Sequence, residues 1–230
     1  MKDIEQTLRK LGSKPSISEE HGLELITDKY LSIFSPGIST GGLAEIRMAL
    51  NNPTRKITTT TIDEEGLEIS KENIKEMELE TNIIAKYQDL TKEFPYEKNT
   101  FDFIYARLIL HYLNYQQLDK TLENFYNSLK KSGLFFIVLR SAKNLKWKKN
   151  VSKPDPITKV VREPYYNDNK EVIGWGETYF HTVKTISEHL NKHNFKIKYV
   201  KEFQETLYAD FMRTIPTKPN DLIEVLCIKE

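Results

Sequence analysis

Two arginines follow strand-like apolar runs and could bind an anion. Arg107 comes directly after "FDFIYA" and Arg140 directly after "LFFIVL". If these runs are neighbouring parallel strands, both arginines lie at the edge where open α/β sheets bind ligands. Guanidinium groups bind carboxylates and phosphates through paired hydrogen bonds. Arg213, in a long segment near the C-terminus, could join them, and pairing of each arginine with a local acid is the alternative.

A second candidate site is the stretch "IFSPGISTGG", residues 33–42, where a strand-like run enters a turn with three glycines. A turn between a first strand and a first helix directs backbone N–H groups towards a ligand, and glycines let the ligand come close. Gly37, Gly41 and Gly42 fit that role, although they could also serve the turn alone. Their spacing differs from the G-x-G-x-x-G pattern of dinucleotide sites, which disfavours a nicotinamide enzyme.

The elements that would position these residues are short β-rich segments alternating with helical patterns. This alternation predicts a mostly parallel sheet covered by helices on both faces. The predicted strands are residues 30–35, 56–62, 82–88, 101–106 and 134–139, followed by "FKIKYV" and "LIEVLCI". The last two strands are expected to pair antiparallel. Asp63 is the predicted N-cap of the helix after the second strand, and Gly133 the predicted C-cap of the helix before the fifth.

Two segments are longer than usual connections between elements, residues 144–181 and residues 202–221. Both follow strands that end at the same rim, so both are expected to overhang the ligand-binding edge. We predict that residues 144–181 form a substrate-side insertion or lid. Its aromatic side chains could close over an acceptor or form a small satellite core; they are Tyr165, Tyr166, Trp175, Tyr179 and Phe180.

Length and charge favour one cytoplasmic domain, residues 1–230, with residues 1–29 as an N-terminal helical cap. The net charge of +1 gives no global electrostatic reason for a duplex nucleic acid or an anionic membrane as partner. The N-terminus is too charged for a signal peptide, and no apolar run approaches the ~20 residues needed to cross a bilayer. We expect a monomer or homodimer without a metal site.

A local basic run could still bind nucleic acid. In "RSAKNLKWKKN", several cations surround Trp147 and could bind RNA phosphates while the indole stacks on a base. The alternative is a solvated surface.

The run "QDLTKEFPYEKNTFDFIYARLILHYL" carries an acidic residue after the third strand, a Leu/Phe-Pro element, Phe-Asp at the fourth strand and a Leu-His pair after it. With "NSLKKSGLFFIVLRS", it resembles the class I S-adenosylmethionine-dependent methyltransferases, over residues 30–145 and more loosely at the C-terminus. The resemblance implies a Rossmann-like, doubly wound α/β fold with a seven-stranded, mostly parallel sheet whose last strand is antiparallel. It also implies S-adenosyl-L-methionine as cofactor and methyl transfer as the reaction.

The family's first motif has an acidic residue two positions before a G-x-G-x-G turn. The resemblance puts Ser35 at the acidic position, Ser39 at the middle glycine, and Gly37 and Gly41 at the outer glycines. The family acid would neutralise the ammonium of the methionine moiety, so another acceptor is needed. The nearest acids in the sequence are Glu45 and Asp63.

For the rest of the cofactor, the resemblance puts Thr61 where the family has the carboxylate that receives the ribose hydroxyls. Asp63 and Glu64 stand close by and could substitute. Asp89 matches the residue that faces the adenine amino group, and its alternative role is to cap a short turn. The other implied cofactor contacts are Leu90 and Ala106.

Under the same resemblance, His111 lies near the transferred methyl group, and His181, at the end of the insertion, could approach from above. Either could act as general base if the acceptor holds its proton; the alternative is a packed structural histidine. We expect methyl transfer to a small molecule with an anionic group, held by the substrate-side arginines and by Tyr165 and Tyr166. A non-catalytic or repurposed binding protein and an RNA methyltransferase are the alternatives.

Overall fold

The computed structural model describes residues 15–38, 41–146, 148, 150–166, 169, 171–208 and 216–230. Its strands are β1 (Ser32–Pro36), β2 (Lys56–Thr61), β3 (Ile83–Tyr87), β4 (Phe101–Arg107), β5 (Leu129–Arg140), β6 (Val161–Tyr166), β7 (Val172–Thr178), β8 (Lys196–Tyr208) and β9 (Pro216–Ile228). Its α-helices are α1 (Ile17–Glu24), α2 (Leu43–Asn51), α3 (Glu64–Glu76), α4 (Tyr115–Ser128) and α5 (Val183–Lys192). Short 3-10 helices cover Leu110–Tyr112 and Ala142–Lys146.

Seven strands form one sheet in the order β3-β2-β1-β4-β5-β9-β8, and β6 and β7 form a separate antiparallel pair. Neighbouring strands from β3 to β5 are parallel, whereas β9 is antiparallel to both β5 and β8. The predicted α/β, Rossmann-like, doubly wound sheet with a reversed last strand is therefore confirmed.

Helices cover both faces of the sheet because adjacent strand residues point to opposite sides. On one face, Tyr105 of β4 packs in a core with residues from α2 and α3, including Ile46 and Ile74. On the other face, Ile104 packs with α4 and α5, including Leu122. Parallel strands buried on both sides have the continuous apolar sequences seen in β4 and β5.

Helix capping agrees with the sequence in one place and departs from it in another. The Asp63 carboxylate accepts from the Gly66 N–H, so the predicted N-cap of α3 is confirmed. The predicted C-cap at Gly133 is wrong, because α4 ends at Ser128 and Gly133 lies inside β5. A Cβ at Gly133 would lie 2.9 Å from the carbonyl oxygen of Asp102, so the glycine permits close strand packing.

The two long segments also differ from the expectation. Residues 202–208 and 216–221 extend β8 and β9 as a long hairpin arm, so the predicted loop is wrong over these residues. The insertion at 144–181 holds the β6–β7 hairpin; its role as a lid, like the division into domains, stays a prediction. No helix within the described ranges combines the length and apolarity needed to cross a membrane.

A buried arginine fastens the segment after α1 to the rest of the domain. Arg55 is 1% exposed, and its guanidinium donates to four backbone carbonyl oxygens. The acceptors are Tyr30 at 3.0 Å, Met48 at 2.6 Å, and Ile26 and Thr27 at 3.2 Å each. One side chain thus holds the α1–β1 connection against the end of α2.

Candidate active site

The glycine turn after β1 begins with two hydrogen bonds to the neighbouring strand. The N–H groups of Gly37 and Ile38 donate to the carbonyl oxygen of Thr60, at 2.8 and 2.9 Å. Gly37 has φ of 77°, and a Cβ there would lie 2.8 Å from Ile109 Cγ1. Both the left-handed backbone and the side chain that follows β4 therefore require glycine at this position.

The far end of the turn is held by α3. Ser70 Oγ accepts from the Gly41 N–H at 3.1 Å, and Asn73 Nδ2 donates to the Gly41 carbonyl oxygen at 3.0 Å. Gly42, with φ of 63°, then begins α2 as its N-cap. The sequence analysis missed Ser70 and Asn73; the available signal was two polar residues three positions apart on the buried side of α3. The predicted contact Ser39 lies outside the described residues.

Beneath this turn lies a buried carboxyl group. Ser35, at the end of β1, donates from Oγ to Glu45 Oε1 at 2.5 Å, and the two residues are 2% and 3% exposed. Glu45 lies in the first turn of α2. Burial raises the pKa of Glu45, while the hydrogen bond from Ser35 opposes that rise. Glu45, named above only for its nearness in sequence, is thus in contact with the position where the family carries its acid.

Arg107 is held on the same face of the sheet by α1 and the β8–β9 arm. Its guanidinium donates to Ser18 Oγ at 2.8 Å, to Ser16 Oγ, and to Glu205 Oε2 at 3.2 Å. Ser18 Oγ also donates to Glu205 at 2.7 Å. These contacts close α1 over the carboxyl end of β4.

The acids proposed for the ribose lie at the start of α3. Asp63 and Glu64 are exposed, directly after the end of β2. One Asp63 carboxylate oxygen is occupied by the helix cap, and Thr61 Oγ1 accepts from the Asp63 N–H at 3.1 Å. Asp63 and Glu64 therefore provide carboxylates at the carboxyl end of β2, next to the glycine turn.

Asp89 follows β3 and shapes its own turn. Its Oδ1 accepts from Thr91 N at 2.9 Å and Thr91 Oγ1 at 2.7 Å, and its Oδ2 lies 3.5 Å from Lys92 Nζ. The hydrogen bonds from Thr91 lower the pKa of Asp89, which keeps the carboxylate ionised. Leu90 and Ala106 are buried on the α4 side of the core.

A second polar cluster lies at the end of β5, beneath the β6–β7 hairpin. Arg140 Nη1 donates to Glu163 Oε1 at 3.2 Å, and Thr178 Oγ1 donates to the same oxygen at 3.1 Å. His111 is brought there by the turn after β4, and His181 by backbone pairing, since its N–H donates to the Arg140 carbonyl oxygen at 3.1 Å.

Several atoms of this cluster lack partners. Both ring nitrogens of His111, both of His181 and Nε of Arg140 are buried and have no hydrogen-bond partner among the residues the structure describes. Most buried polar groups in folded proteins are hydrogen-bonded, so a cluster of unpartnered ones is a candidate site for a bound molecule or an ordered water. The structure therefore brings together three of the predicted site residues, while Arg140 and Arg107 contact different acids. The predicted Arg213 lies outside the described residues.

Burial keeps both histidines neutral. The pKa of His111 is held well below 6.5, first by burial and then by Arg140 and His181, and burial lowers the pKa of His181 to about 3. Neutral imidazoles can accept a proton or a hydrogen bond from a bound molecule.

This burial makes stability depend on pH. Below pH ~6.5 the unfolded chain binds protons that the folded histidines do not, so the free energy of unfolding should fall as the pH decreases from ~6.5 towards 3. Each histidine contributes a slope of up to about 1.4 kcal/mol per pH unit. The free energy of unfolding, measured by urea denaturation at pH values from 7.5 to 5, should depend less steeply on pH for His181→Gln than for the wild type. If the free energy of unfolding changed with pH equally in both proteins, His181 would not be the cause of the pH dependence.

The insertion's aromatic side chains divide into two groups. Tyr179 and Phe180 are 6% and 7% exposed, as in the satellite-core alternative. Tyr165 and Trp175 are each 52% exposed on the hairpin, where the Tyr165 ring lies close to Gly176. The side chain of Tyr166 lies outside the described part of the structure.

The basic run is partly neutralised by acids. Lys148 pairs with Glu163, and Lys143 Nζ lies 2.6 Å from Glu202 Oε2. Trp147, the predicted stacking residue, is not among the described residues.

Comparisons with known proteins agree with the predicted fold. Residues 33–133 match the family model described as a methyltransferase domain. A search of curated proteins found no match. An S-adenosylmethionine-dependent methyltransferase from Methanosarcina mazei is similar in structure, with a TM-score of 0.72. The two sequences are 15% identical, and the match covers 90% of this chain and 96% of that one.

Two further structures share the fold at low identity. Geranyl diphosphate methyltransferase in complex with S-adenosylmethionine has a TM-score of 0.63 and 10% identity, over 92% of this chain and 84% of that one. The (4+2)-cyclase SpnF has a TM-score of 0.62 and 13% identity, over 92% and 79%. Residues 33–133 are thus similar to a methyltransferase domain, and the chain as a whole shares the fold of S-adenosylmethionine-dependent methyltransferases.

Proposed function

We propose that this protein transfers a methyl group from S-adenosylmethionine to a small molecule that bears an anionic group. The observation that carries the proposal is the cluster of unpartnered nitrogens of Arg140, His111 and His181 at the carboxyl end of the sheet. Arg140 Nε can donate to a carboxylate or phosphate of the acceptor, and a neutral histidine can take the proton of the reacting group.

The other side of the same edge fits the cofactor. Gly37 and Gly41 add no side chain of their own to the turn, and the Ile109 side chain packs against Gly37. Asp89 offers a carboxylate for the adenine amino group, and Asp63 and Glu64 offer carboxylates for the ribose hydroxyls. Bound S-adenosylmethionine would supply an electrophilic methyl group, so the protein's task is to orient the acceptor and exclude water.

His111 and His181 are the proposed proton acceptors. Both are neutral, so either can accept a hydrogen bond from the reacting group; taking up its proton requires that the negative charge of the bound acceptor offset the burial that lowers the pKa. Arg140 would hold the anionic group, with the exposed ring of Tyr165 beside the entrance. Arg107 and Arg213 remain proposed contacts of the acceptor. The ion pair between Arg107 and Glu205 supports a second role for Arg107, which is to hold α1 in place.

A repurposed, non-methylating protein is the second candidate. The serine at position 35 departs from the family motif, and SpnF, named as a cyclase, shares the fold. Because a fold does not determine a reaction, binding and turnover must be measured separately. An RNA substrate is less favoured, because Lys143 and Lys148 of the basic run pair with acids.

The cofactor half of the proposal is tested by calorimetric titration with S-adenosylhomocysteine. Asp89→Ala should weaken binding by about 1–3 kcal/mol, the cost of losing a hydrogen bond to a charged group. Asp89→Asn is the sharper variant, because its amide oxygen can still accept from Thr91 while its NH2 group opposes the adenine amino group.

Thr91→Val is the matched control, because it loses the side-chain bond within the turn but keeps the carboxylate. Equal affinities for wild type and both Asp89 variants would contradict the assignment. Methyl transfer assayed with small carboxylic acids, phosphates and their neutral amides or esters then tests the acceptor, since only the anionic compounds should be methylated efficiently.

A further inference from the structure

Glu45 is a buried carboxyl group whose hydrogen-bonding partner is neutral, although the charge of Arg47 acts on it. Within the described ranges it forms no ion pair, and its hydrogen-bonding neighbour is the neutral Ser35 hydroxyl at 2.5 Å. A buried carboxylate is costly unless a cation or several donors balance it. Its contact with Ser35 places it at the carboxyl end of β1, where the proposed cofactor site begins at Gly37.

The surrounding charges make the imbalance clearer. Arg47 pairs with Glu19, and Arg107 pairs with Glu205 at 3.2 Å. Both guanidiniums thus pair with another carboxylate, the buried Arg55 donates to backbone carbonyl oxygens, and Glu45 forms no ion pair with them. One positive charge would balance the group.

Tyr105 provides an independent observation. The pairing of β1 with β4 ends at Phe34 and Ile104, so Ser35 and Tyr105 are the next residues of the two strands, on the same face of the sheet as Ile33. Tyr105 is 3% exposed, and its hydroxyl has no hydrogen-bond partner among the described residues. Glu45 is among the acids that interact with it electrostatically. A donor-rich cation beside Ser35 would satisfy both the hydroxyl oxygen and the carboxylate.

We propose that Glu45, together with Ser35 and Tyr105, binds the primary ammonium group of the cofactor's methionine moiety. An ammonium group donates three hydrogen bonds and carries the missing charge. The acid has thus moved from the strand end, where Ser35 stands, to the first turn of α2, where it reaches back to the same place. This inference rests on the proposed use of S-adenosylmethionine.

The test compares two ligands that differ in the amino-acid moiety, S-adenosylhomocysteine and 5′-methylthioadenosine, by calorimetry. Glu45→Gln should weaken binding of S-adenosylhomocysteine about 10- to 100-fold, because a charge-assisted contact is lost. It should change binding of 5′-methylthioadenosine less than about twofold, because that compound has no ammonium group. Glu68→Gln, on the exposed side of α3, is the matched control and should change neither affinity.

The melting temperature will show whether Glu45→Gln folds properly. If it does not, two further variants test the proposal. Ser35→Asp combined with Glu45→Gln returns the carboxylate to the strand end and should recover most of the affinity for S-adenosylhomocysteine. Ser35→Asp alone brings two buried carboxyl groups into contact and should lower the melting temperature. The proposal would be overturned if Glu45→Gln weakened the binding of both ligands equally, or the binding of neither. If the wild type binds neither ligand, the proposed function itself is wrong.

Discussion

Replacing Arg55 by methionine is expected to lower the free energy of unfolding by about 3–5 kcal/mol. The methionine fills much of the same volume but cannot donate, so four backbone carbonyl oxygens around a fully buried side chain lose their donor. Unsatisfied buried acceptors each cost free energy, and a domain has only about 5–15 kcal/mol in total. The midpoint of thermal unfolding should fall by on the order of 10 °C.

Chemical denaturation by circular dichroism measures the Arg55 effect, and two variants bracket it. Arg55→Lys keeps the charge but has a single ammonium in place of a planar fork, so an intermediate loss is expected. Arg162→Met removes an exposed arginine of the hairpin and should change stability by less than about 0.5 kcal/mol. A loss below about 1 kcal/mol for Arg55→Met would mean that water replaces the guanidinium.

The second large effect is expected at Arg140. Arg140→Met should lower kcat/KM for an anionic acceptor about 100- to 1000-fold, since it removes the donor proposed to hold the acceptor's charge. Affinity for S-adenosylhomocysteine should stay within about twofold of the wild type, because Arg140 lies at the end of β5 and the proposed cofactor contacts lie around β1 to β3.

Steady-state kinetics with paired anionic and neutral acceptors measures this effect. Arg162→Met, which removes an exposed arginine of the β6–β7 hairpin paired with Glu177, is the matched control. Arg107→Met separates the two arginines: a stability loss without a change in acceptor selectivity would assign Arg107 to the fastening of α1. If Arg140→Met lowered turnover of neutral and anionic acceptors equally, Arg140 would have a structural role and the anionic acceptor would be wrong.

The sequence alone determined the alternation of strands and helices in the main sheet. Continuous apolar runs indicated strands buried on both faces, as β4 and β5 are, and Asp63 marked the start of α3 through a local cap. These features depend on residues close together in the chain, so local patterns carry them. The resemblance around residues 30–145 implied the seven-stranded, mostly parallel sheet with its reversed last strand, which the structure has.

Only the tertiary structure decided which polar groups meet. Gly133 has the local signature of a helix end, but the packing of β5 against the Asp102 carbonyl oxygen placed it within a strand. Arg107 and Arg140 both stand at the predicted edge, yet their partners are Glu205 and Glu163, far away in the chain.

The contact between Glu45 and Ser35 also could not be predicted from the sequence, although the two residues are close in the chain. Glu45 lies ten positions after Ser35, and nothing local indicates that the two side chains touch. The contact exists because the glycine turn reverses the chain and α3 holds that turn through Ser70 and Asn73. Side-chain charge pairing depends on three-dimensional distance and burial, and these are properties of the folded chain as a whole.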